Sequence, residues 1–117
     1  MSILIVEDDE DLRDLVKMML ELEGFDVQTA QHGREALELV GESMPDLILL
    51  DIKMPVMDGW SFAVEFRARY GSSAPIVVMT AAEHAAARAQ EVGAKGWISK
   101  PFAYDDLVTL VRSHLCL

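Results

Sequence analysis

Cysteine is almost missing from this chain: Cys116 is the only one among 117 residues. No intrachain disulfide can form, and a reducing compartment is the default for such a sequence. Basic residues are scarce as well. Ten Lys and Arg stand against twenty Asp and Glu, a formal net charge of −10. That balance argues against a nucleic-acid surface, which needs a basic patch, and against an anionic membrane. Long apolar runs are also lacking. The opening run Ile3–Val6 meets acid at Glu7, so it is too short for a signal peptide and has no positive flank. Nothing else is long enough to span a bilayer. These absences point to a cytoplasmic protein. What is present is a globular composition, 51% hydrophobic and 26% charged, in a length that suits one domain with a real core.

Two patterns alternate along the chain. Ile3–Val6, Phe25–Ala30, Leu47–Leu50, Ile76–Met79 and Lys95–Ser99 are short, apolar or β-branched runs. Continuous apolar runs suit strands buried on both faces of a parallel sheet. Helical spacing fills the gaps. Leu12, Leu15, Val16, Met19 and Glu23 share one face of a first helix, and Ala36, Leu37 and Val40 mark a second. Phe62, Phe66 and Tyr70 mark a third. Residues 83–92, rich in Ala, form a weakly anchored fourth, and Val108, Val111 and Leu115 mark a fifth. Gly24, Gly41, Gly71 and Gly93 each stand where a left-handed helix cap is wanted. The expectation is an α/β fold, a doubly wound five-stranded parallel sheet with five helices on its two faces.

Ligands of such sheets bind at the carboxyl ends of the strands. Glu7, Asp8 and Asp9 follow the first strand, Asp51 the third, Thr80 the fourth, and Lys100 and Pro101 the fifth. Only Gln31 and His32 follow the second, as at an edge outside the site. Glu7, Asp8 and Asp51 bring three negative charges against one positive charge on Lys100, so the carboxylates should raise one another's pKa. Mg²⁺ would restore the balance, being a hard cation that takes carboxylate and phosphate oxygens. A carboxylate nucleophile, a divalent metal, a lysine and a hydroxyl are the parts that phosphoryl transfer needs.

The runs ILIVEDD, DLILLDIKMPVMDG, IVVMTA and GWISKPF, in that order and spacing, resemble the receiver domain of two-component response regulators over essentially the whole chain. The resemblance implies a single receiver domain over residues 1–117 with a flavodoxin-like sheet in the order 2-1-3-4-5. It implies Asp51 as phosphoacceptor, with Mg²⁺ held by Asp8, by Glu7 largely through water, by Asp51 and by the backbone carbonyl of Lys53. Thr80 would be the switch hydroxyl, Lys100 the partner of the phosphoryl group, and Pro101 would follow it through a bond that is often cis. Trp97 stands at the aromatic switch position, where Tyr or Phe is usual, and its bulk opposes turning inward behind Thr80. The implied donor is a sensor histidine kinase or a histidine phosphotransfer protein. A downstream protein target would read the fourth helix, fifth strand and fifth helix. No paired charges there favour a strong dimer, so a monomer or weak dimer is expected. Whether the receiver stands alone or belongs to a longer chain is left open.

Taken singly, each of these residues has an ordinary reading. Glu7–Asp11 suits a helix N-terminus, with Asp9 and Asp11 as capping candidates, and Asp58 with Gly59 suits a turn. His32, His84 and His114 show no metal spacing and read as surface residues. The methionines read as packing. Among other functions, an aspartate-nucleophile phosphatase would carry an acid where Lys53 stands, and an electron carrier of flavodoxin type would need a phosphate loop that Glu7–Asp11 would repel. The expected protein is a signalling phosphoacceptor, not an enzyme acting on an external substrate. The alternative is a receiver fold used for docking without phosphorylation.

Overall fold

The computed structural model describes residues 1–51, 59–71, 73–81, 87, 89–90, 93–100 and 102–115. Five strands, β1 (Ser2–Val6), β2 (Asp26–Ala30), β3 (Leu47–Asp51), β4 (Ile76–Ala81) and β5 (Gly96–Lys100), form one sheet in the order β2-β1-β3-β4-β5. Every neighbouring pair is parallel. Four helices are described rather than the five expected: α1 (Glu10–Leu22), α2 (Gly33–Glu42), α3 (Gly59–Tyr70) and α4 (Tyr104–His114). The fourth expected helix, at 83–92, falls mostly outside the described residues, although Ala89 within it is buried in the core.

Two apolar layers sandwich the sheet. Ile3, Ile5, Leu47, Leu49, Val77, Met79 and Ile98 pack against Val16 and Leu20 of α1 and Leu107 and Val111 of α4. Leu4, Val6, Ile48, Leu50, Ile76 and Val78 pack against α2 and α3, notably Leu37, Val40, Phe62 and Phe66. This is the period-two alternation of a strand buried on both sides. All four residues Leu47–Leu50 are fully buried, each contributing about 2 kcal/mol of apolar burial. That burial carries Asp51 to the carboxyl end of the central strand.

Local signals explain most boundaries. Asp9 caps α1, its carboxylate accepting from the backbone N–H of Asp11 and Leu12. Asp11 lies inside the helix and does not cap it. Gly24, Gly71 and Gly93 have positive φ, as the left-handed caps require. Gly41 departs from expectation. It lies within α2, whose C-cap is Ser43, and an added Cβ would stand 3.4 Å from the Tyr70 hydroxyl. Close helix packing, not a left-handed turn, is the use of that glycine. The face of α1 also shifts. Val16 and Leu20 are its buried residues, whereas Leu15 is 42% exposed, because the stripe that meets the sheet runs one ridge away. Glu23 is the C-cap, tied to the Tyr104 hydroxyl at 2.6 Å and to Arg112 at 2.9 Å.

Candidate functional site

The strand pattern decides which polar side chains meet. Glu7 continues the Ile3–Ile5 parity beyond β1, Asp51 the Leu47–Leu49 parity at the end of β3, and Lys100 follows Ile98 at the end of β5. All three therefore lie toward α1 and α4. The Lys100 Nζ donates to Glu7 Oε1 at 2.6 Å and stands 3.5 Å from Asp51 Oδ1. Carboxylate oxygens of Glu7, Asp8 and Asp51 all lie within 4.8 Å of one another. Glu7 is fully buried and Asp51 nearly so, while Asp8 is exposed. The site thus has a dry floor and one acid at its mouth.

Burial pushes the Glu7 carboxyl up to about 7 from an ordinary 4.5, and its hydrogen bond with Asp51 adds to the rise. Lys100 pulls the other way without cancelling it. Burial beside a second carboxyl group thus disfavours the charged form of Glu7. Glu7 Oε2 also accepts from the backbone N–H of Asp8 at 3.1 Å. Burial works against the Lys100 ammonium, but Glu7 and Asp51 outweigh it and hold its pKa above the ordinary lysine value.

Thr80 is buried in β4 on the opposite parity, shared with Val78, and pairs across the ladder with Ser99. Trp97 pairs with Val78 and is 46% exposed, so the indole faces outward. Lys53 and Pro101 lie outside the described residues, as do Asp58, His84 and Cys116. Two histidines expected at the surface have other places. His32 is half-buried and caps α2, its Nδ1 accepting from the Glu35 N–H at 3.2 Å. His114 is half-buried between the end of α4 and the start of β5, with Nε2 3.2 Å from the Lys95 carbonyl and Nδ1 2.9 Å from that of Leu110. Sequence reasoning missed Arg13, whose Nη1 donates to the Glu7 carbonyl at 3.1 Å.

Hard oxygen donors at this spacing suit a divalent cation such as Mg²⁺, and a cation would replace the proton that Glu7 otherwise retains. The chemistry of the donor set fits. Residues 3–112 match the family of response regulator receiver domains. This chain belongs to that family. The response regulator MprA of Mycolicibacterium vanbaalenii is 36% identical over 115 residues, covering 97% of this chain and 49% of that protein. MprA of Mycobacterium leprae is 36% identical over 117 residues, covering 98% of this chain and 51% of that one. The receiver therefore spans about half the length of the curated relatives it matches. Among solved structures, the chemotaxis protein CheY4 of Vibrio cholerae superposes with a TM-score of 0.88 at 32% identity, covering 97% of this chain and 98% of that one. The receiver domain of NtrX from Brucella abortus does so with a TM-score of 0.88 at 30% identity, covering 97% of each chain. Among the described residues, no helix of the receiver is long and apolar enough to cross a membrane.

Proposed function

We propose that this receiver accepts a phosphoryl group on Asp51 and relays it as a signal. The observation that carries the reading is the meeting of Asp51 with Glu7, Asp8 and Lys100 at the carboxyl end of the central strand, in a chain of this family. The donor is a phosphohistidine of a sensor kinase or histidine phosphotransfer protein. An Asp51 carboxylate oxygen attacks phosphorus, the P–N bond breaks, and the imidazole nitrogen keeps the electron pair. Lys100, already 3.5 Å from Asp51, is placed to follow the charge onto the phosphoryl oxygens. The Thr80 hydroxyl donates to another of those oxygens. Glu7, Asp8, Asp51 and the Lys53 carbonyl would hold Mg²⁺, which when bound neutralises carboxylate charge and takes up phosphoryl oxygen.

Asp51 is regenerated when water attacks the acyl phosphate, so the receiver promotes only its own phosphorylation and dephosphorylation. Movement of the Lys100 ammonium from the carboxylates to the phosphoryl group biases two conformations. A downstream protein reads them on the surface of β5 and α4, together with the fourth helix expected at 83–92, which lies mostly outside the described residues. Trp97, already outward, reports the side of that surface on β5.

Intact mass after incubation with acetyl phosphate and Mg²⁺ tests the reading. One phosphoryl adduct is expected, absent with chelator and absent in Asp51→Asn. If neither acetyl phosphate nor a phosphorylated histidine donor modifies the chain, and beryllofluoride fails to bind, the receiver acts as a docking module without phosphorylation.

A further inference from the structure

The Glu7 backbone sits where the sheet runs out. The last pairing of β1 with β3 joins Val6 to Leu50, so the Glu7 carbonyl lies one residue beyond the ladder. Its N–H is served by the Ala30 carbonyl of the opposite neighbour at 3.0 Å. Glu7 is fully buried, and a carbonyl in such a residue needs a donor. Arg13 supplies it from α1, Nη1 to oxygen 3.1 Å. Arg13 is itself fixed, its N–H donating to the Asp9 carbonyl at 2.9 Å, while the Asp9 carboxylate caps the same helix turn.

A bland role would be an ion pair. Arg13 stands in a stretch containing Asp8, Asp9, Glu10, Asp11 and Asp14, yet among the described residues its guanidinium forms no ion pair, and its hydrogen bond goes to the carbonyl. A cation this near a helix N-terminus also opposes the helix dipole. What the contact does is hold the peptide that joins Glu7 to Asp8. That peptide sets where the exposed Asp8 carboxylate stands relative to the two buried ones.

We infer that Arg13 is a positioning residue for the acidic pair, fixing the Glu7–Asp8 peptide so that Asp8 meets Glu7 and Asp51 in the geometry a divalent cation requires. The inference rests on the metal reading given under Proposed function. Its sign separates it from electrostatics. Deleting a cation beside three carboxylates would by charge alone tighten Mg²⁺ binding. Deleting a positioning donor loosens it.

Two-dimensional ¹H–¹⁵N spectra of the full chain test this with Arg13→Met and Arg13→Lys, in a metal-free exchange series and in a Mg²⁺ titration. In Arg13→Met, Mg²⁺ affinity should fall about tenfold, the low end for loss of an outer partner of a metal ligand. Amide exchange at Asp8 and Asp9 should quicken in the metal-free chain while the β3 and β4 core amides keep their protection. Arg13→Lys keeps the charge and a donor, and should lose less than Arg13→Met on both measures. Unchanged or tighter binding in Arg13→Met, unchanged exchange at Asp8, or a Lys variant no better than Met overturns the inference. If the native chain itself shows no Mg²⁺ response, the metal reading fails. The metal-free exchange at Asp8 then still decides whether Arg13 holds this peptide. Should Arg13→Met not fold, the Lys variant against the native chain carries the same comparison.

Discussion

Glu7→Gln should make the metal-free receiver more stable at alkaline pH, although it removes one end of a 2.6 Å ion pair with Lys100. The reason is that the folded chain charges Glu7 reluctantly. Its pKa is about 7 in place of 4.5, first through burial and then through the hydrogen bond with Asp51. Each pKa unit is worth about 1.4 kcal/mol, so ionising Glu7 in the folded state costs up to about 3 kcal/mol relative to the unfolded chain. Solvent entering at the exposed Asp8 side screens part of that, leaving about 2 kcal/mol as the expected effect. Because the folded pKa lies above the unfolded one, the stabilising contribution is complete below 4.5 and is lost as pH rises through 7. Glutamine keeps the shape and an acceptor for Lys100 but cannot ionise. The two chains should therefore match near pH 4.5 and diverge by about 2 kcal/mol at pH 8, the variant being the more stable. Urea unfolding followed by circular dichroism, with chelator present at pH 4.5, 6 and 8, measures the difference directly. A gap that stays constant with pH would refute the argument, as would a less stable variant at pH 8.

The same proton governs metal binding. Mg²⁺ must displace it, so affinity read from the Asp8 and Asp9 amide shifts should weaken as pH falls below 7, approaching about tenfold per pH unit if one proton is released. A flat profile from pH 6 to 8 would mean that Glu7 is already ionised in the metal-free state. At the start of α1, Asp9→Ala leaves the Asp11 and Leu12 N–H groups without their cap. A loss of about 1 kcal/mol in unfolding free energy is expected, with no loss meaning that water replaces the carboxylate at no cost.

Much of the fold was legible because burial on both faces writes continuous apolar runs. Ile3–Val6, Leu47–Leu50 and Ile76–Met79 are short unbroken apolar runs between helical stretches, and their alternation with those stretches implied a parallel sheet. Where a feature depended on contact between distant elements, sequence spacing failed. Leu15 and Leu20 are equally apolar, and only the docking of α1 on the sheet decides that Leu20 is buried. Gly41 reads as a helix stop, yet its use is to admit the Tyr70 hydroxyl from α3. His32 passed for a surface residue because a ring nitrogen is a less common helix cap than a carboxylate or hydroxyl oxygen. Arg13 was hidden in a run of charges, and its role depends on the exact residue where the β1 ladder ends.

Glu7 and Asp8 show how far one residue of strand register carries. In the sequence they are a pair of acids after an apolar run, interchangeable by composition. In the fold, Glu7 keeps the parity of Ile3 and Ile5 and points into the layer where Lys100 arrives from β5, while Asp8 turns out to solvent. Desolvation then separates their chemistry. The buried acid holds a proton near neutrality and binds the lysine, and the exposed one stands at the mouth of the cluster. A site with one acid ready at its mouth and one released only by exchange of its proton can bind a cation without an apo state that repels itself apart. The resting receiver pairs Lys100 with Glu7 and Asp51 and keeps a proton on Glu7 up to near neutrality. In the proposed signalling state both are redistributed, the proton lost to a cation and the lysine turned toward a phosphoryl group. Glu7 belongs to both arrangements, and Arg13 is the residue placed to keep its backbone fixed while they interchange.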